Sequence, residues 1–270
     1  MNNILDCLRE EKEMRLKGRL YHYSQIKFAY NSNKIEGSRL TEDQTRYIFE
    51  TQTISTESNE TVNVNDILET VNHFRCFDYM LECAINPLSE EIIKEFHKIL
   101  KQSSFDSQKK WFNAGEYKKL PNVVGERETT HPLKVKEEMD FLLSKYLNNN
   151  EIDLKKIIDF HYKFERIHPF QDGNGRVGRL VMFKECLKNN IVPFIIEDEY
   201  KKYYYMGLQE YPDSKLRLTD TCLFAQDVYK GFIKHLNEDN DMIKYDENKG
   251  IELNITKNRL FDNKETEIDG

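Results

Sequence analysis

The stretch His168-Pro169-Phe170-Gln171-Asp172-Gly173-Asn174-Gly175-Arg176-Val177-Gly178-Arg179 constrains this chain more than any other part of it. Apolar residues at helical spacing lead up to it: Leu154, Ile157, Ile158, Phe160 and Phe164, between Asp153 and Ile167. Beyond it, Leu180-Val181-Met182-Phe183 opens a second apolar helix that fades at Asn189-Asn190. The stretch is thus a loop between two core helices, and its end is the first turn of the second. Pro169 disfavours the α region at His168, so the first helix stops there and the imidazole projects from a fixed backbone. Gly173 and Gly175 let the chain turn tightly and expose successive N–H groups. A helix N-terminus with free amides attracts anions.

Charge placement sharpens that reading. Arg176 and Arg179 stand in the first helical turns, where the macrodipole disfavours cations. Spaced i, i+3, they share a face, and they make sense there if an anion lies between them and the amides. Asp172, just outside the helix, offers a hard oxygen of the kind Mg²⁺ takes together with phosphate oxygens. His168, Asp172, the amides and the arginine pair describe a nucleotide-phosphate site with a general base beside it. Other phosphate and metal motifs do not fit. No Gly-x-x-x-x-Gly-Lys-Ser/Thr occurs. An EF-hand counted from Asp172 would have Arg176 at position five and Phe183 at position twelve. His161 and His168 lack the His-Glu-x-x-His spacing of a zinc site.

The rest of the sequence frames a soluble helical protein. At 270 residues and 39% hydrophobic content, one large domain or two small ones can form. A net charge of −7 with no basic stripe argues against nucleic acid as a partner. Apolar runs such as Ile191 to Ile196 are too short for a bilayer, and Arg9-Glu10-Glu11-Lys12 interrupts any leader-like pattern. The cysteines Cys7, Cys76, Cys83, Cys186 and Cys222 are scattered without a Cys-x-x-Cys pair, as expected of reduced thiols in a cytoplasmic protein. Helical patterns are expected over about 1–18, 21–36, 65–85, 90–101, 135–148, 153–167, 175–189, 199–211 and 215–236, with Thr41-Glu42-Asp43-Gln44 capping a further helix through Phe49. Gly115 to Pro132, carrying Val123, Val124 and Gly125, reads instead as extended segments joined by a turn. The expected division is N-terminal helices over 1–60, a core over 61–236 with its hairpin near 115–132, and an acidic tail over 237–270 that packs weakly or is disordered.

The loop resembles the signature of the Fic-domain family, His-x-Phe-x-Asp/Glu-Gly-Asn-Gly-Arg-x-x-Arg, with every defined position present from His168 to Arg179. The resemblance covers roughly residues 20 to 211. It implies a mostly α, Fic-type helical bundle with a small β-hairpin flap that covers the active site and holds a target segment by strand pairing. It implies transfer of AMP from ATP to a Ser, Thr or Tyr hydroxyl of a protein, with self-modification. His168 would take the hydroxyl proton, an imidazole of ordinary pKa about 6.5 suiting neutral pH. Asp172 would hold Mg²⁺. The amides of Gly173, Asn174 and Gly175 would form the anion hole, with the Asn174 side chain on the α-phosphate. Arg176 and Arg179 would neutralise the outer phosphates, and Phe170 would pack inward to fix the loop. Tyr204 and Tyr205 resemble the aromatic pair placed near the base, and the resemblance implies that Val124 and Gly125 would reach the nucleotide from the flap. The related Doc toxins, which phosphorylate their targets, read Ala-Asn-Lys where this chain has Gly173-Asn174-Gly175.

Upstream, Ser32-Asn33-Lys34-Ile35-Glu36-Gly37 resembles the family's inhibitory motif, Ser/Thr-x-x-x-Glu-Gly/Asn. Glu36 ends a helix, where the macrodipole disfavours an anion; Arg179 begins one, where it disfavours a cation. An ion pair between them relieves both, and this chain is expected to hold itself in check through it. The partners implied are ATP, a protein hydroxyl and a second copy through self-association, with no nucleic acid and no membrane. Two rival readings use the same residues: removal of AMP from a modified protein, with Glu36 orienting water, and a nucleotide-binding module without turnover.

Overall fold

In the computed structural model, which describes residues 3–56, 61–239 and 243–246, the apolar periodicities become ten α-helices. They are α1 (Ile4–Met14), α2 (Leu20–Ile35), α3 (Glu42–Thr51), α4 (Val64–Cys83), α5 (Glu90–Leu100), α6 (Pro132–Leu147), α7 (Leu154–Ile167), α8 (Asn174–Lys188), α9 (Lys201–Glu210) and α10 (Leu216–Asp239). Most of the acidic tail lies outside the described residues. The ends follow local chemistry. Thr41 and Gln44 exchange side-chain and backbone hydrogen bonds as a full capping box. Ser89 and Asp153 cap α5 and α7 through their side chains. Gly37 follows α2 with φ +99°, the left-handed geometry that stops a helix.

Helix α8 runs through the centre and is buried nearly all round, which is why its sequence carries no polar face. It packs on α7, α5, α4 and α2. Phe183 of α8 stacks on Phe28 of α2 at 5.3 Å between ring centres and meets Phe77 of α4 edge-on. Ile4, Leu5 and Leu8 of α1 join the same apolar cluster as Phe160 and Phe164 of α7. The core is therefore continuous from the first helix to the loop at His168.

The segment between α5 and α6 carries the only strands among the described residues, β1 (Val123–Val124) and β2 (Arg127–Glu128), paired antiparallel with Val124 opposite Arg127. Gly125, at φ +60°, closes the turn. The hairpin is much shorter than the extended segments expected over 115–132. Short irregular turns replace strand where Lys118 and Asn122 bond to the neighbouring loop instead of to a sheet.

Three histidines in this core are neutral: His73, His97 and His161. Burial, aided by Arg179 and Arg176, lowers His73 to about 3. Burial and Lys101 lower His97 to about 3, and burial outweighs the neighbouring Glu165 to leave His161 at about 4. An unfolded histidine titrates near 6.5. The unfolded chain therefore binds more protons below that pH, and stability is full above it and lost as pH falls toward 4. Each ring should withdraw up to about 2 kcal/mol between pH 7.5 and pH 5. Urea midpoints at the two pH values check this; an unchanged midpoint would mean that the rings take up protons in the folded state.

Candidate active site

Helix α7 ends where Pro169 requires it to, and His168 takes φ +53°, ψ +63°, a left-handed cap whose N–H still bonds to the Phe164 carbonyl at 2.8 Å. Phe170 turns inward and is fully buried, stacked on His97 at 3.9 Å. His97 ties the loop to the base of the hairpin: Nδ1 accepts the Gly115 N–H at 2.9 Å, and Nε2 donates to the Asp172 carbonyl at 3.1 Å. From the other side Lys118 donates its N–H to the Pro169 carbonyl at 2.8 Å and its ammonium to Ile167 O, while Asn122 reaches Phe170 O. Burial and Arg127 push the Lys118 ammonium down to about 8. The hairpin is thereby pinned across the His168 loop.

Asn174 does not point outward. Its side chain accepts the Phe170 N–H at 2.8 Å and donates to the Phe170 carbonyl at 2.9 Å, closing the loop on itself. In this structure the buried Asn174 amide is satisfied at both ends inside the loop. The first intrahelical bond of α8 is from Val177 N–H to Gly173 O, which leaves the amides of Asn174, Gly175 and Arg176 without helical acceptors.

The two arginines share a face but part company. Arg176 pairs with Glu69 of α4 and with Asp172 Oδ2 at 3.2 Å. Arg179 donates to the Ser32 hydroxyl at 3.0 Å, to the Ser32 carbonyl at 2.9 Å and to Glu36 Oε1 at 2.8 Å. The Arg179–Glu36 ion pair expected from the two helix ends is thus present, through one carboxylate oxygen. Burial opposes the Arg179 charge, but Glu36 outweighs it and raises the guanidinium further. Glu36 also lies against Gly175: a Cβ there would overlap Glu36 Oε1 and come within 2.9 Å of Arg179 Nη1. The anion between the arginines and the helix start is, in this state, the chain's own carboxylate.

Asp172 is held by Lys101 at 2.6 Å as well as by Arg176. Burial works against its charge, yet Arg176 and Lys101 prevail and hold the carboxyl well below the usual range. Both ion pairs use Oδ2, and the side chain is 46% exposed. Oδ1 takes part in neither pair, so one hard oxygen fits a Mg²⁺ that also takes phosphate oxygens. Glu69 and Asp106 bring carboxylate oxygens within 4.8 Å, but the Lys101 ammonium already bonds to all three acids. Lys101, Glu69, His97 and Lys118 escape a sequence reading, because their partners lie tens of residues away.

Beside the loop opens a cleft of about 610 Å³, lined by Val124, Gly125 and Arg127 from the hairpin, Tyr162 and Glu165 from α7, and Tyr205 from α9. The structure brings Val124, Gly125 and Tyr205 together there. Tyr204 is not among them. It is buried beneath the arginine, its hydroxyl 2.7 Å from His161 Nε2 and its ring 5.9 Å from the Arg179 guanidinium.

Residues 87–186 match the model of the Fic/DOC family. A protein adenylyltransferase Fic from Nematostella vectensis is 28% identical over 210 residues, covering 72% of this chain and 45% of that protein. The chain spans less than half the length of this relative. A Fic domain containing signaling protein from Bacteroides thetaiotaomicron shares the fold with a TM-score of 0.65 at 23% identity, over 87% of this chain and 91% of that one. Fic-1 from C. elegans does so with a TM-score of 0.68 at 17% identity, over 87% and 72%. Among the described residues no helix is long and apolar enough to cross a membrane. The intact His168-to-Arg179 loop, set between α7 and α8 in a mostly helical fold, lies within the stretch of this chain that matches the Fic/DOC family.

Proposed function

We propose that this protein transfers AMP from ATP to a Ser, Thr or Tyr hydroxyl of a protein, itself included, and that Glu36 restrains the reaction. The observation that carries the reading is the convergence of His168, the free amides of α8, Asp172 and Arg179 at one loop beside the hairpin cleft. The curated relatives named protein adenylyltransferase support the same chemistry. In this reading the hydroxyl oxygen bonds to the α-phosphorus as the bond to the bridging oxygen breaks. Pyrophosphate leaves, and the proton passes to His168 Nε2. Such transfers depend on positioning and charge stabilisation. The amides of Asn174, Gly175 and Arg176 receive the phosphate charge, and Arg179 takes the γ-phosphate once Glu36 releases it. Asp172 would hold Mg²⁺, which supplies charge neutralisation between the phosphates when bound. The hairpin edge, with Val123 and Val124 exposed, suits an extended target segment. The protein is expected to work in the cytoplasm.

The test is incubation of the protein and its Glu36→Gly variant with ATP labelled in the α-phosphate and cell lysate, followed by mass spectrometry. Label on no protein, including the enzyme, would defeat the reading. Arg179→Ala should bring ATP and ADP affinities measured by calorimetry close together, since the γ-phosphate is its proposed partner; an unchanged preference assigns Arg179 another task. Removal of AMP is a second reading, favoured by the Glu36 carboxylate lying against Gly175. Incubation with an AMP-modified protein separates the two.

A further inference from the structure

One buried carboxylate in the site has no role in the reaction as described. Glu165, one turn before His168 on α7, places Oε2 3.7 Å from His168 Nδ1. Neither His168 Nδ1 nor Glu165 Oε1 has a hydrogen-bond partner among the described residues, and both atoms are buried. Unsatisfied buried polar atoms are costly, and the unpartnered Nδ1 faces Glu165 Oε2 at 3.7 Å, which points to a contact that tightens in another state, while Oε1 lies on the Gly178 side beside His161. Apo hydrogen bonds at catalytic bases are often long for this reason. Space for the carboxylate comes from Gly178 of α8: a Cβ there would collide with the His161 ring at 2.7 Å and come within 3.1 Å of Glu165 Oε1.

We infer that Glu165 is a positioning residue for His168, accepting its Nδ1–H so that Nε2 is the free base facing the hydroxyl. Resting on the AMP-transfer reading, this extends it from the base to the group that orients the base. An imidazole has two tautomers, and only the Nδ1–H form leaves Nε2 able to take a proton. As Nε2 is protonated, the ring becomes a cation, and the ionised Glu165 beside it stabilises that charge without accepting the proton. Burial would raise the Glu165 carboxyl, yet His168, His161 and Arg179 hold it below the ordinary range. The charged and titratable groups facing it are His161 and His168 on its own helix, Arg179 on α8, Tyr204 and Tyr205 on α9, and Arg127 on the hairpin. Arg127 also donates to the Glu165 and Arg166 carbonyls, at 3.2 and 3.1 Å, fixing the last turn of α7 from outside.

Two readouts test this on the full chain. Nitrogen-15 NMR of the unmodified protein reports the His168 tautomer without requiring activity; Nδ1–H is expected, and Nε2–H would overturn the inference. Self-modification measured in the Glu36→Gly background gives the second. There, adding Glu165→Gln should lower kcat by about 10²-fold with KM for ATP unchanged, and move the acid limb of the pH–rate profile to lower pH, since the anion favouring the imidazolium is gone. An unchanged kcat and acid limb would overturn it, as would a loss confined to KM. If Glu36→Gly itself transfers no AMP, the functional reading fails, and the tautomer still decides the Glu165 pairing.

Discussion

His168→Ala lowers AMP transfer by about 10²–10⁴-fold, the usual worth of a positioned base, while ATP affinity stays within a few-fold of the parent. The separation follows from where the groups sit. In the proposed reaction phosphate charge is met by the α8 amides and by Arg179, whereas His168 belongs to the end of α7 and contributes no donor to that nest. The side chain is 18% exposed, and the loop is held by Phe170, Asn174 and His97 rather than by the imidazole. The variant should therefore fold. Calorimetry with ATP beside an initial-rate assay in the Glu36→Gly background checks both halves. Full activity would end the assignment of His168 as base, and loss of ATP binding would place it among the binding groups.

Glu36→Gly raises transfer, including self-modification, by about one to two orders of magnitude, because displacement of reacting atoms by 1 Å can cost about 10²-fold. In the proposed reading, Arg179 bonded to Glu36 and Ser32 is unavailable to the γ-phosphate, and the Glu36 carboxylate lies against Gly175 at the start of α8. The same substitution leaves a buried guanidinium without its countercharge, so the melting temperature should fall while activity rises; unpairing a buried ion pair costs about 3–5 kcal/mol. Opposite movement of the two readouts separates release of a restraint from general stabilisation. Unchanged or lower transfer would end the inhibitory role, and loss of AMP removal in this variant would favour the reverse reaction as the native activity.

The backbone of the site was legible because its determinants are local. Pro169 sets the end of α7, Gly173 sets the turn before α8, and the apolar spacing on both sides sets the two helices. The Glu36–Arg179 pair was legible over a long separation, since each charge stood at the wrong end of a helix dipole. Side-chain occupancy was not. Asn174 has the right position for a phosphate ligand, but its reach to Phe170 is decided by a loop geometry that spacing does not encode. Arg176 meets Glu69 only because α4 packs against α8, and Tyr204 turns inward because His161 offers its hydroxyl a partner. The hairpin shrank for the same reason: Lys118 and Asn122 spend their hydrogen bonds on the signature loop rather than on a longer ladder.

The helix that carries Glu36 is also part of the frame. Phe28 is stacked against Phe183 of the central helix, and Ile26, Ala29 and Ile35 are buried along the same α2. Detaching such a segment would expose aromatic surface worth several kcal/mol per ring. Under the proposed restraint, the carboxylate would therefore leave by turning about its own side-chain bonds, with the helix staying in place. A gate of that kind has one small moving part and no intermediate opening, so its response is a shift in the fraction of molecules with Arg179 free. ATP then binds with an apparent affinity reduced by that fraction. Under that restraint, any partner that drew the Glu36 side chain outward would act by raising it, as a dimmer does and not as a latch.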